Sequence, residues 1–330
     1  MNTKLITMSA AAALCMGAFA AEEEKSEGWA WAMGEGITFD ENPIVSTEVS
    51  LSFDSKYLSY GFVDNNDPIL TPAGSMTFFD WVTFGVSAIF DTTKYGYRAG
   101  YTSRQFQYTE LHPTVTIGHS FSPEDFEWLP TTVEFAFGWD YEYIPNSRIK
   151  GTYDPDLNFV ERAAAKDTHY WTFEIGLPDL WFEPKFYYER DAMRDDGTYL
   201  NLEVGHTFTV IGDEEDETLT LRPSIAQGFG NKQRVKAYAS RPWMMYDPVF
   251  DEYYSEAELE PLRRAGFMDT MFKLEAGWNI CDGVALSGYV GYSDFLFDRK
   301  IRRAARTYAP ERKWTHSWNF VAGLALTFSF

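Results

Sequence analysis

The chain has 330 residues, with 28 Lys and Arg against 49 Asp and Glu, a net charge of −21, and 18% aromatic side chains. So acidic a protein is a poor partner for nucleic acid, whose phosphates need neutralising by Lys and Arg. With only two cysteines, Cys15 and Cys281, it has no Cys-based zinc site.

The first twenty residues read as a secretory signal: Lys4 is the positive start, residues 5–19 are apolar, and Ala18-Phe19-Ala20 is an A-x-A cleavage site. The acidic Glu22, Glu23 and Glu24 beyond it cannot continue a membrane span. A lipoprotein reading would use Cys15, but Leu14 stands where a small residue is needed. Cleavage leaves 310 of the 330 residues, with 27 basic and 49 acidic side chains, a net charge of −22. Cys281 is then alone, a small apolar residue at a strand end, and no internal disulfide is possible. Beyond the signal no run of about 20 apolar residues occurs, so no transmembrane helix is expected.

The mature sequence alternates with the period of a strand. Within 132–143, Val133, Phe135, Phe137, Trp139, Tyr141 and Tyr143 share one face and Glu134, Ala136, Gly138, Asp140 and Glu142 the other. The pattern returns at Trp171, Phe173 and Ile175 against Tyr170, Thr172 and Glu174, and at Leu200, Leu202 and Val204 against Tyr199, Asn201 and Glu203. Leu274, Ala276 and Trp278 oppose Lys273, Glu275 and Gly277. The last segment, with Trp318, Phe320, Leu324, Leu326, Phe328 and Phe330 on one face, resembles the assembly signal read by the barrel-assembly machinery of outer membranes. A soluble sandwich also alternates, but rarely with large aromatics at most apolar positions.

Twelve segments are predicted: 45–60, 68–79, 81–91, 105–121, 131–144, 168–178, 181–191, 198–211, 217–230, 269–281, 284–297 and 314–330. The expected fold is an all-β transmembrane, antiparallel up-and-down β-barrel, with ten or fourteen strands as the neighbouring counts. Residues 1–20 are the cleaved signal, 21–44 a periplasmic N-terminal segment and 45–330 the barrel. Short connections at Asp80, Asp179-Leu180, 212–216 and Asp282-Gly283 then fall on the periplasmic side, with the longer 122–130. The long loops 145–167, 231–268 and 298–313 fall outside. Tyr141, Tyr143 and Trp318 sit at extracellular ends and Phe328 and Phe330 at the periplasmic end, as interfacial girdles require. His119 and His206 break the outward apolar pattern and are placed near an interface.

Residues 49–92 carry a resemblance. Tyr57-Leu58-Ser59-Tyr60-Gly61, Asn66-Asp67-Pro68-Ile69, Ser75-Met76-Thr77-Phe78 and Val82-Thr83-Phe84-Gly85-Val86 together resemble the TorF-type family of porin-like outer-membrane barrels. The resemblance implies a barrel of about this size in the outer membrane of a Gram-negative-type bacterium, without a defined substrate. It covers about the first third of the mature chain, and 231–268 lies outside its pattern.

If the apolar faces meet lipid, the opposite faces line a lumen. Eleven carboxylates are assigned there: Glu48, Asp54, Glu110, Glu134, Asp140, Glu142, Glu174, Glu183, Glu189, Glu203 and Glu275. Lys185, Arg222 and Lys273 are the cations, and Arg222 and Lys273 are placed to neutralise neighbours. The excess of acid favours cations over anions in a passage for small solutes. Twelve strands lie between a filled eight-stranded barrel and an open sixteen-stranded one, so the passage should be narrow.

Arg299, Lys300, Arg302, Arg303 and Arg306 make an extracellular basic patch suited to lipopolysaccharide phosphates or sulfated glycans, or to pairing with acidic neighbours. In 231–268, Ser255 and Glu258 form a capping box for a helix that Gly266 can end, preceded by an aromatic run including Trp243, Tyr246 and Phe250. That loop could fold inward as a constriction, bind a ligand, or pack as a lid on the rim.

An outer-membrane lipid hydrolase would need a Ser–His dyad, but His119 and Ser120 are on opposite strand faces. His112, His169 and His316 show no metal spacing. No catalytic residue, metal or cofactor is therefore assigned. A structural or adhesive barrel is the other reading.

Overall fold

The computed structural model describes residues 45–92, 97–98, 101–102, 106–144, 152–154, 158–160, 167–212, 217–239, 246–247, 252–253, 260–305 and 317–330. A row of alternating strands has two needs: partners for its edge N–H and C=O groups, and cover for its apolar face. Closure meets the first. The wall strands are β1 (Val45–Asp54), β2 (Ile69–Phe78), β3 (Val82–Asp91), β4 (Gln107–Phe121), β5 (Val133–Glu142) and β6 (Thr168–Gly176). They continue with β7 (Lys185–Asp191), β8 (Thr198–Gly205, resumed at Phe208–Gly212), β9 (Glu217–Gly230), β10 (Gly266–Cys281), β11 (Val284–Asp294) and β12 (Asn319–Ser329). Each pairs antiparallel with its chain neighbours, and β12 returns to β1 to close a twelve-stranded barrel. The closing register sets Val49 against Phe328, Leu51 against Leu326 and Phe53 against Leu324.

Register fixes the faces, because a slip of one residue would invert them. Leu51, Phe84, Phe137, Trp171, Leu202 and Phe320 are all exposed, although they are large and apolar. They belong to one continuous belt on the outside of the wall, the reverse of a soluble sandwich. Aromatic neighbours stack along it, as Phe137 does on Trp171 with ring centroids 5.6 Å apart.

The sequence places these strands closely but misjudges several ends. The alternation predicts a first strand running to residue 60. Instead β1 stops at Asp54, and Tyr57–Ser59 pairs with Phe62–Asn65 as a separate hairpin. Its turn uses Tyr60 (φ 53°) and Gly61 (φ 84°). A Cβ on Gly61 would lie 2.5 Å from Asp269 Cβ and 2.9 Å from the Phe295 ring, so both conformation and space demand glycine. Residues 181–184 belong to a turn rather than to β7, and β8 breaks at His206 and Thr207.

One end of the barrel carries short turns. Phe79 and Asp80, both left-handed (φ 53° and 56°), lie at the centre of a tight hairpin turn closed by the pair Phe78 and Val82, with Trp81 N donating to Phe78 O at 3.0 Å. Such a loop matches strand twist but strains non-glycine residues by about 1–2 kcal/mol each. His119 stacks on Trp81 (4.2 Å) and His206 on Trp181 (4.8 Å), which places both histidines in the aromatic rim expected of them. Asp179 clips two turns together by accepting from Thr132 N at 2.8 Å. Hydrogen bonds from Thr132 hold the Asp179 carboxyl below its ordinary range.

At the other end, longer connections fold over the wall. Helix α1 (Lys232–Ala239) starts at Asn231, whose Oδ1 accepts from Arg234 N at 2.9 Å. Helix α2 (Arg299–Ala305) is capped by Asp298, accepting from Lys300 N at 3.0 Å and Ile301 N at 3.2 Å. Helices of 8 and 7 residues are too short to stand alone, so packing holds them. Val235, Tyr238 and Ala239 of α1, Ile301 and Ala304 of α2, Phe62 of the hairpin, Tyr199 and Met268 of the wall, and Phe295 just past β11 form the apolar core of this plug. The helix expected from Ser255 falls on residues outside those described, and a single 3₁₀ turn comes after it at Glu260–Leu262.

Candidate functional site

The interior wall has two contrasting sides. From β7 to β10 it is charged, and Arg222 is the hub. Its Nε donates to Glu183 Oε2 at 3.0 Å, and its Nη1 donates to Glu203 and, at 3.2 Å, to Glu275. Lys273 Nζ lies 2.9 Å from the other Glu275 oxygen. A Cβ on Gly205 would stand 2.9 Å from the guanidinium, so glycine opposite Arg222 makes room for the cluster. Three carboxylates against two cations leave it slightly negative. The alternation puts Glu183 within a strand; it sits in the turn before β7, where it also accepts from Thr207 Oγ1 at 3.0 Å.

Between β1 and β4 the wall is built of short side chains. Ser50, Ala73, Ser75, Ser87 and Thr114, with Glu48 and His112, border a cavity of about 160 Å³. His112 lies between two carboxylates, its Nε2 3.3 Å from Glu110 and its Nδ1 3.2 Å from Asp140. Its spacing in the sequence suggests no ligand role. Parity alone nevertheless puts it inside, since Glu110, His112 and Thr114 share a face of β4.

Glu48, Glu134 and Glu174 are exposed and have no ion-pair partner among the described residues. Lys185 also has no ion-pair partner among them. Asp54 reaches Tyr289 Oη, at 2.7 Å, across Gly323 of the intervening strand.

Toward the long-loop end the acids meet arginines that the sequence pattern does not assign. Arg194 Nη2 donates to Glu142 Oε1 at 2.8 Å, and Tyr170 Oη donates to Glu142 Oε2 at 2.6 Å. Arg234 of α1 is 0% exposed. Its Nη2 donates to Glu189 at 3.0 Å, its Nη1 lies 3.4 Å from Asp195, and its guanidinium sits 4.5 Å above the Tyr60 ring. Burial works against this charge, but Tyr60, Tyr238, Glu189 and Asp195 outweigh it and hold the guanidinium above its ordinary value. Arg234 thus ties the plug helix to β7, to the 192–197 connection and to the hairpin. Its signal is legible: Asn231 as cap, then Val235, Tyr238 and Ala239 at helical spacing.

Among the described residues, Arg194, Arg234 and Asp195 thus join the three cations and eleven carboxylates that parity assigns to the interior. Of the basic patch, Arg299, Lys300 and Arg303 are exposed, while Arg302 is drawn to Asp294 (2.6 Å) and Ser317 (3.1 Å). Arg306 lies outside the described residues. Phe330 closes the last ladder, its N donating to Thr47 O at 2.8 Å, and Phe328 pairs with Val49 and Val284.

No family model matches the chain, and no curated protein matches its sequence. Solved structures similar to it are outer-membrane proteins. An outer-membrane channel of Pseudomonas putida F1 is 11% identical over 90% of this chain and 100% of that one, with a TM-score of 0.45. Omp33 of Acinetobacter baumannii is 10% identical over 86% and 98%, with a TM-score of 0.34. OmpT of Vibrio cholerae is 9% identical over 87% and 97%, with a TM-score of 0.33.

Proposed function

We propose that the chain is a porin-like channel of the outer membrane of a Gram-negative-type bacterium, passing small solutes by diffusion and favouring cations. The observation that carries this is the pairing of an outward apolar belt with a polar interior holding unpaired carboxylates. A soluble barrel would not expose Phe84, Phe137, Trp171 and Phe320 while turning Glu48, Glu134 and Glu174 inward. A cavity lies along β1 to β4, opposite the arginine cluster, where hydroxyls and Glu48 offer weak, replaceable hydrogen bonds. Such contacts let a solute enter without trapping it. In this reading the short-turn end is periplasmic, the long-loop end extracellular, and Phe328 and Phe330 are read by the barrel-assembly machinery.

One observation favours the structural or adhesive reading: the plug of α1, α2 and the hairpin packs against the β6 to β11 side of the long-loop mouth. No catalytic role is assigned. His119 is stacked on Trp81 among outward rings, and its neighbour Ser120 takes the opposite face. Refolded mature protein in a planar bilayer tests the choice. Steady current steps support the channel; a folded but silent barrel supports the other reading.

A further inference from the structure

The basic helix α2 has two faces. Ile301 and Ala304 are buried in the plug, while Arg299, Lys300 and Arg303 point away from it and are exposed. None of these three has an ion-pair partner among the described residues, in a chain with 49 acids and 28 bases. Arg264 stands nearby, half-exposed, with one guanidinium nitrogen 2.6 Å from the capping Asp298. Immediately before the helix, Phe297 is 66% exposed. Its ring lies 6.0 Å from Phe267, itself exposed, which lies 5.9 Å from Phe229. Phe229 and Phe267 face each other across β9 and β10, at the top of the apolar belt. A row of unpaired cations thus adjoins an aromatic patch continuous with the membrane-facing wall.

A soluble anion would use the cations and leave the rings bare. A zwitterionic lipid would use the rings and leave the cations unpaired. Only an amphiphile with an anionic head satisfies both. We propose that this rim is a binding site for one phosphate-bearing lipid of the surrounding leaflet, its phosphate on Arg299, Lys300 and Arg303 and its chains on Phe229, Phe267 and Phe297. Guanidinium forks match phosphate geometry, and each basic side chain near an anionic surface strengthens binding several-fold. The site rests on the membrane-embedded reading of the barrel and is independent of whether the lumen conducts.

The test is native mass spectrometry of the refolded full mature chain in detergent, titrated with phosphatidic acid or phosphatidylcholine. Wild type should retain one phosphatidic acid with a preference of roughly tenfold to hundredfold over phosphatidylcholine. The R299Q/K300Q/R303Q variant changes only exposed side chains and should lose that preference. The F267S/F297S variant should bind both lipids more weakly and keep the preference. Excess inorganic phosphate should not displace the lipid. An unchanged preference in the basic-face variant overturns the proposal. So does displacement by phosphate or a sulfated oligosaccharide with F267S/F297S behaving as wild type, which would mark a site for soluble anions. Failure of the membrane reading itself looks different: the protein would stay in solution without detergent and retain neither lipid.

Discussion

Replacing Arg234 by Met should release the plug while leaving the barrel intact. The guanidinium is fully buried, bonded to Glu189 and Gly197 O, close to Asp195 and stacked over Tyr60. Removing one partner of a buried pair costs roughly 3–5 kcal/mol, because the other charge is left without compensation. The lost cation–π contact adds about 1–2 kcal/mol. Against this, α1 docks through little more than Val235, Tyr238 and Ala239, each contributing about 1–3 kcal/mol before ordering costs. The loss is therefore comparable to the whole docking free energy of α1, whereas the closed ladder of twelve strands is untouched. Trypsin offers a direct assay, since Lys232 and Lys236 lie within α1. Arg234→Met should become rapidly cleavable there, and its single-channel current should rise or become noisier, with the heat-induced gel shift unchanged. Adding Glu189→Gln should restore part of the resistance by removing the orphaned charge. If Arg234→Met resisted trypsin and conducted as wild type does, the latch role of Arg234 would be wrong.

Other expectations come from the wall. Arg222→Met leaves Glu183, Glu203 and Glu275 with Lys273 alone, so the reversal potential in a salt gradient should shift toward cations; an anion-ward shift would refute the cluster's role. Phe137→Arg, on the exposed face of β5, should cost roughly 2–4 kcal/mol and impair assembly, whereas the adjacent, inward Ala136→Arg should assemble and reduce cation preference. The reverse outcome would exchange inside and outside. Asp179 is held below its ordinary carboxyl value of 3.8, so its clip contributes above that value and is lost as pH falls through the lower folded one. Protection of the Thr132 amide should therefore fall with acid below pH 3.8 and lose this dependence in Asp179→Asn, and a flat profile in wild type would contradict it.

Much of this architecture is legible in the residues because a strand's faces are fixed by parity. Phe135, Phe137 and Trp139 against Glu134, Ala136 and Asp140 leave one arrangement open once the strands are paired. The strand number comes from the alternation of short and long connections. What parity cannot report is where a strand ceases to belong to the wall. Residues 45–60 read as one strand, yet β1 stops at Asp54, and Tyr60 and Gly61 take left-handed conformations that turn the hairpin over the mouth. The interior chemistry is half visible. Arg222 and the carboxylates are placed by counting faces, but Arg194 and Arg234 lie in connections, beyond the period of the strands, and only the short helix around Arg234 leaves a local signal. Their partners depend on how the plug packs, a long-range matter of Phe62 meeting Phe295 (4.8 Å) and Tyr60 meeting Tyr238 (4.8 Å). For His112 the spacing to other histidines is uninformative, and its parity with Glu110 and Thr114 on β4 is the property that locates it.

The proposed channel conducts through a lumen set negative by Glu48, Glu134 and Glu174. The most direct measurement is the current through single refolded molecules in a planar bilayer, under a gradient of potassium chloride. The expected result is discrete steps with a reversal potential displaced toward that of potassium, and a reduced displacement when all three glutamates are replaced by Gln. A correctly folded, heat-modifiable barrel that passes no current, or one whose reversal potential ignores the triple replacement, would contradict it.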